Sequence, residues 1–357
     1  MNGQKNPERA ATGFLRRSGW GSATIMPLPG DASTRRYARL DNAGKRALLM
    51  DQPQGAESVA AGAFDYNKVA RLAGADCNRF IAVSDYLRSR GLAAPEIYAA
   101  DPDQGYLIIE DFGDALFADV LEGGGPEEEL YKAAVEVLAK LHAQPAPGAL
   151  SGLPLHVYDE DALLAETDLL TEWFLPLALG RPASDAERES HRALWRKALD
   201  SIAGHDHVLV HRDYHAQNLL WMPDRHSHAR VGLIDFQDAV AGSRAYDLVS
   251  LLEDARRDVP PAIAQMATAH YLASLATPID EEKFRAEMAV MAAQRNAKIV
   301  GIFARLYRRD GKPRYLALLP RVWAHLERDL AHPVLADLRA WYDHAIPKDR
   351  RLPEAPA

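Results

Sequence analysis

Val208-Leu209-Val210-His211-Arg212-Asp213-Tyr214-His215-Ala216-Gln217-Asn218 is the stretch that decides the fold. Its three branched apolar residues read as a short buried strand, and polar side chains follow at once. The same pattern recurs further on, where Val231 to Ile234 is apolar and Asp235-Phe236-Gln237 comes next, Asp235 standing seventeen positions after Asn218. Either signal alone is weak, because His-Arg-Asp and Asp-Phe are common by chance. Both together, each behind a strand, in this order and at this separation, are hard to reach by accident.

An Asp separated by four residues from an Asn has the spacing of a phosphotransfer loop. The Asp there receives the hydrogen bond of the acceptor hydroxyl, and the Asn coordinates magnesium. Phosphoryl transfer asks little covalent help of a protein; it needs hard oxygen ligands that clamp Mg²⁺ on the phosphates and an acceptor held in line. Asn218 and Asp235 are the expected metal ligands, and Asp213 is the expected catalytic residue. His211 is read as structural support for the loop, since Asp213 already occupies the base position.

Upstream, apolar stretches at Thr24 to Leu28, Tyr37 to Leu40, Ala47 to Met50, Glu96 to Ala100 and Tyr106 to Glu110 are separated by turn residues. The pattern Phe80, Val83, Leu87, closed by Gly91 and Pro95, predicts a helix between the third and fourth. After Asp111 the text turns to amphipathic helices, of which Leu130, Ala133, Ala134, Val137, Leu138, Leu141 is the clearest. Two lobes are expected, residues 1–110 and 111–357. Within the second, Asp247 in Ala245-Tyr246-Asp247-Leu248 stands at a helix start.

Composition narrows the setting. The 357 residues carry a net charge of −8, which argues against a nucleic-acid partner. No apolar run approaches the roughly 18 to 20 residues that span a bilayer, so no membrane partner and a cytoplasmic location are expected. Cys77 is the only cysteine and is read as a packing residue. The cluster Arg305, Arg308, Arg309, Lys312, Arg314 reads as a solvated helix end, with an anionic-ligand site as the alternative.

With these residues in place, the chain resembles the aminoglycoside-phosphotransferase and choline-kinase superfamily of small-molecule kinases over most of its length. Within that superfamily it is most similar to the anomeric kinases of peptidoglycan recycling, which act on N-acetylmuramate and N-acetylglucosamine. Leu28-Pro29-Gly30-Asp31-Ala32-Ser33-Thr34-Arg35-Arg36-Tyr37, Leu49-Met50-Asp51, Ile109-Glu110-Asp111-Phe112-Gly113-Asp114, Thr171-Glu172-Trp173-Phe174, Gln294-Arg295-Asn296 through Gly301-Ile302-Phe303-Ala304-Arg305, and Pro320-Arg321-Val322-Trp323 carry the likeness. The resemblance implies an α+β, protein-kinase-like two-lobed fold with a five-stranded antiparallel N-lobe sheet and a mostly helical C-lobe. It implies ATP and Mg²⁺ as cofactors and a small sugar as substrate. Gly30, Ser33, Thr34, Arg35 and Arg36 then fall in or just past the phosphate-covering turn, Glu110, Asp111 and Phe112 at the adenine hinge, and Asp247 beneath the catalytic loop.

For the acceptor, Glu172 and Trp173 offer a carboxylate beside an aromatic face, and Arg295, Asn296 and Arg305 lie on a later helix where they suit an N-acetyl or lactyl group. Trp173 equally fits a core position, and the arginines equally fit a surface. Three other functions are carried alongside. An aminoglycoside kinase requires several acids around the acceptor. A choline-type kinase requires an aromatic cage, for which Trp173, Trp221 and Tyr214 are available. A non-catalytic nucleotide binder has no need of Asp213, Asn218 and Asp235 together. One departure stands out: the third strand reads Arg46-Ala47-Leu48-Leu49-Met50-Asp51, without the lysine that usually holds the α and β phosphates. Arg35 and Arg36 are the nearest substitutes. Only one of the two can face the cleft, and Arg36 is placed ahead of Arg35.

Overall fold

The computed structural model describes residues 7–29, 35–53 and 65–352; Gly30, Ser33 and Thr34 lie outside the described residues. Five strands, β1 (Thr24–Pro27), β2 (Arg36–Asn42), β3 (Lys45–Asp51), β4 (Ile97–Asp101) and β5 (Tyr106–Ile109), make one antiparallel sheet in the order β1-β2-β3-β5-β4. The β2–β3 hairpin closes through Ala43 and Gly44, both at positive φ (54° and 86°), and pairs Asn42 with Lys45. A two-residue turn with both residues left-handed matches the twist of the strands it joins.

Alternation then divides the sheet's residues between two cores. Leu40, Ala47 and Leu49 pack with Phe14 and Leu15 of helix α1 (Pro7–Arg17), a helix the sequence reading did not foresee, and with Trp20 just beyond it. Met50 and Leu107 belong instead to the main core, with Cys77, Phe80 and Val83 of α3 (Cys77–Ser89), which follows the short α2 (Tyr66–Val69). Asp76 caps α3 by accepting the Asn78 N–H at 2.9 Å. Cys77 is buried.

The remainder is mostly helical: α4 (Phe117–Glu122), α5 (Glu127–Leu141), α6 (Glu160–Leu169), α7 (Leu175–Leu179), α8 (Asp185–Asp200), α9 (Ala245–Leu252), α10 (Pro261–Ser274), α11 (Glu281–Arg308), α12 (Leu319–Asp329) and α13 (Ala336–Ala345). Three small antiparallel pairs sit among them. β6 (Ala149–Leu150) pairs with β7 (Leu153–Pro154), β8 (Val208–Val210) with β11 (Val240–Gly242), and β9 (Leu219–Trp221) with β10 (Val231–Leu233). The 28 residues of α11 run about 42 Å. Gly301 lets α11 lie against α6, since a Cβ there would stand 2.4 Å from the Leu169 carbonyl carbon. Among the described residues no helix is long and apolar enough to cross a membrane.

Candidate active site

The loop after β8 is held from below. Asp247, fully buried near the start of α9, accepts the main-chain N–H of His211 at 2.6 Å and of Arg212 at 2.8 Å. Burial raises its carboxyl to about 7 despite those two donors. Arg212 takes φ +81° and Asp235 φ +62°, left-handed values that non-glycine residues rarely adopt outside functional loops. The Arg212 side chain runs into the interior, donates to the fully buried Glu166 of α6, and lies 4.8 Å from the centre of the Tyr158 ring. His211 is buried, with Tyr214 and Phe236 ring edges at 5.5 and 6.3 Å, and burial lowers it to about 4. It is a neutral packing group, as a supporting role requires.

Asp213 is half-buried and lines a cavity of about 780 Å³.

 It is lined by Asp119, Asn218 and Asp235, by Tyr246, and by Arg256, Arg295, Lys298 and Arg314, among others. Burial alone would raise the Asp213 carboxyl, but Lys298 first, then His215 and Arg212, hold it below the ordinary carboxylate range. It is therefore an ionised acceptor at neutral pH. The Asn218 amide is turned so that Nδ2 donates to the Asp213 carbonyl at 2.9 Å, which leaves Oδ1 as its free oxygen. The Ile234 N–H donates to the Asn218 carbonyl at 3.2 Å and brings Asp235 alongside. An amide oxygen and a carboxylate on adjacent loops fit a hard divalent ion that takes its other ligands from phosphate and water.

The two arginines resolve by parity. Arg35 turns into the cleft, only 13% exposed, with Nη2 at 2.9 Å from Asp235 Oδ1 and Nη1 donating to Gln237 Oε1 at 2.6 Å. Arg36 shares its strand face with Ala38 and Leu40, is 60% exposed and pairs with Asp51 at 2.6 Å. The order given to them by sequence is thus reversed, because Arg36 lies on the α1 face of the sheet. Met50, at the position of the missing lysine, is buried in the core with α3.

At the junction after β5 the side chains are already engaged. Glu110 pairs with Arg225 at 2.6 Å and Asp111 with Arg39 at 2.6 Å, while the Phe112 ring lies 4.9 Å beneath the Arg225 guanidinium. The Glu110 N–H is also engaged, donating to the Glu96 carbonyl at 2.8 Å, so the Glu110 carbonyl and the main chain of Asp111 and Phe112 are what remain for a ligand.

On the acceptor side the structure separates residues that the sequence grouped. Arg295 lines the cavity together with Lys298, Ile299 and Ile302 of α11. Asn296, one residue and about 100° further round the helix, is buried elsewhere and donates to Glu253 at 2.7 Å and Asp329 at 2.8 Å. Arg305, a turn beyond the cavity, stacks 5.2 Å from the Tyr66 ring centre. Glu172 and Trp173 sit in a π-helical turn, Leu170–Phe174, and are not among the cavity's lining residues. Trp173 packs against the core, which is the bland alternative.

Sequence reasoning missed Glu166, Lys298 and Arg256. Lys298 Nζ lies 2.9 Å from Glu166 Oε1 and 3.1 Å from Tyr246 Oη, and it lines the cavity with 13% of its side chain exposed. A lone acid inside the apolar run Leu163-Leu164-Ala165-Glu166 was the available signal for the first. The basic cluster late in the chain was read as a solvated helix end, which holds for the exposed Arg308 and Arg309; Arg314 instead turns into the cavity.

Known proteins match this arrangement. The N-acetylmuramate/N-acetylglucosamine kinase of Caulobacter vibrioides is 40% identical over 96% of this chain and 98% of its own. The enzyme of the same name from Pseudomonas putida is 31% identical over 91% and 90%. Among solved structures, a choline/ethanolamine kinase family protein from Mesorhizobium loti has the same fold, with TM-score 0.59 at 12% identity over 94% of this chain and 99% of that one. The phosphotransferase enzyme family model matches residues 24–287, which hold the sheet, the Asp213 loop and Asp235. By its fold, its loop geometry and these matches, the chain is a kinase that belongs to the phosphotransferase enzyme family.

Proposed function

We propose that this enzyme uses ATP and Mg²⁺ to phosphorylate the anomeric hydroxyl of an amino sugar, N-acetylmuramate or N-acetylglucosamine, in cytoplasmic cell-wall recycling. The observation that carries the reading is the charge of the cavity beside Asp213. Its carboxylates are Asp213 and Asp235, both required by the chemistry, and Asp119; against them stand Arg256, Arg295, Lys298 and Arg314. A polycationic aminoglycoside is repelled by such a wall, whereas a neutral or anionic sugar is not. A choline cage finds no support either. Neither Trp173 nor Trp221 lines the cavity, and Tyr214 is fully buried with its hydroxyl on the Ala134 carbonyl.

In this reading residues 1–110 form the nucleotide lobe and 111–357 the catalytic and acceptor lobe. Main-chain groups at Glu110 to Phe112 meet the adenine, and Arg35 holds the phosphates in place of the strand-three lysine. Asn218 Oδ1 and Asp235 would hold Mg²⁺, which when bound neutralises phosphate charge. Asp213 accepts the hydrogen bond of the acceptor hydroxyl and takes its proton as the oxygen attacks the γ-phosphorus. Arg295 is the one member of the set Glu172, Trp173, Arg295, Asn296 and Arg305 that stands where it can touch the sugar.

Incubation with ATP, Mg²⁺ and a sugar panel tests the proposal through ADP release and loss of the product's reducing end. Asp213→Asn should lower kcat by about 10²- to 10⁴-fold, the range of a general base, with little change in nucleotide affinity. A product that still reduces copper would place the phosphate on another hydroxyl. Faster turnover of kanamycin-like substrates would move the enzyme to the antibiotic branch.

A further inference from the structure

Most arginines near the surface of this chain have a carboxylate partner: Arg39 has Asp111, Arg321 has Asp258, and Arg351 has both Glu327 and Asp343. Three that line the cavity have none among the described residues. Arg256, in the turn after α9, has its main-chain N–H fixed by Asp254 at 2.8 Å, and its exposed side chain carries no ion pair. Arg314 lies 5.2 Å from the centre of the Tyr315 ring and makes only a 3.4 Å contact with that hydroxyl. Arg295 is 5% exposed and donates to the Glu253 main-chain oxygen at 3.3 Å. Burying a guanidinium without an anion is costly, which applies to Arg295, and the exposed Arg256 and Arg314 add two more unpaired guanidinium groups to the same cavity wall, so the three together suit an anion that arrives from outside.

Their origin in the fold sets these three apart from Arg35. Arg35, on the sheet side, already meets Asp235, whereas Arg256, Arg295 and Arg314 all come from the helical part of the chain. Arg256 and Arg295 line the cavity together with His215, two residues past Asp213. Resting on the functional reading above, we propose that Arg256, Arg295 and Arg314 form a carboxylate subsite that selects an amino sugar bearing an acidic ether substituent, N-acetylmuramate, over its neutral counterpart. Each guanidinium presents planar paired donors that match a carboxylate, and no neutral hydroxyl repays their desolvation equally.

The test compares kcat/KM for N-acetylmuramate, its neutral methyl ester and N-acetylglucosamine in the wild-type enzyme and in Arg256→Gln, Arg314→Gln and the double variant. The wild type should favour the acid over its ester by about ten- to a hundred-fold, the range of charge-assisted hydrogen bonds. The variants should shrink that ratio, the double variant towards one. Equal use of acid and ester by the wild type would overturn the subsite while leaving the sugar-kinase reading intact. So would variants that raise the KM for ATP and leave the acid-to-ester ratio unchanged, since the arginines would then hold nucleotide phosphates. Turnover of none of the three sugars would overturn the functional reading and the subsite with it.

Discussion

Arg35→Ala is the substitution whose effect the cleft geometry fixes best. The guanidinium is 13% exposed, 2.9 Å from the Asp235 carboxylate and 2.6 Å from Gln237 Oε1. Two unit charges about 4 Å apart at an effective dielectric of about 20 interact by about 4 kcal/mol, and a charge-assisted hydrogen bond is worth about 1.5 to 3 kcal/mol net. A loss of about 2 to 4 kcal/mol in transition-state binding corresponds to about 30- to 1,000-fold in kcat/KM. Arg35→Lys keeps the charge and loses the planar fork, so it should fall in between. Arg36→Ala is the internal control: its partner Asp51 lies on the other face of the sheet, its side chain is 60% exposed, and an exposed pair is worth about 0 to 1 kcal/mol. The assay is steady-state ADP release with MgATP varied at saturating sugar. Wild-type kcat/KM for MgATP in Arg35→Ala would refute the reasoning and send the search for the phosphate cation elsewhere, with Lys298 the next candidate in the cavity.

Three further outcomes follow from buried charge. Asp235→Asn should raise the Mg²⁺ concentration needed for half-maximal turnover as well as lowering kcat; an unchanged metal requirement would contradict its role. Glu166→Gln leaves Arg212 and Lys298 buried together without their shared anion and should destabilise the fold by about 3 to 5 kcal/mol, read by urea unfolding; a loss under about 1 kcal/mol would show the cluster to be indifferent to its charge. Burial lowers His142 to about 3, below its ordinary value, so the folded state binds fewer protons and this contribution, present above about pH 6.5, is lost as pH falls. Between pH 7 and 5 the loss should be smaller in His142→Gln by about 2 kcal/mol, and parallel stability curves would contradict it.

The catalytic half of the site was legible because its information is local. Asp213, Asn218 and Asp235 sit at fixed offsets behind two strands, and a β-strand that delivers a loop fixes where that loop begins. Arg35 against Arg36 was legible in principle too. The turn Ala43-Gly44 pairs Asn42 with Lys45, and counting back pairs Tyr37 with Met50 and Arg36 with Asp51. Met50 is apolar and faces α3, so Tyr37 shares its face and Arg35, two residues earlier, must as well. Alternation alone says that only one of the two faces the cleft; the register of the hairpin is what picks Arg35 over Arg36.

The acceptor half was not legible, for a different reason. Helical periodicity tells which residues of α11 share a stripe but not which stripe meets Asp213, because that depends on how far the helix is rotated by its neighbours. Gln294, Arg295, Asn296 and Lys298 all offer polar groups within about one turn, and the sequence gives no absolute phase among them. What sets the phase is packing: Gly301 seats α11 against Leu169, and that contact turns Arg295 and Lys298 toward Asp213 and Asn296 toward Glu253 and Asp329. Net charge was equally uninformative. A chain of net charge −8 still gathers Arg256, Arg295, Lys298 and Arg314 around one cavity, so net charge does not report the charge of the site. A shared fold does not supply this information either, since sites vary on a constant scaffold. The charge that the cavity presents is set by Arg256, Arg295, Lys298 and Arg314, two of which, Arg256 and Arg314, lie outside every stretch that carried the family likeness.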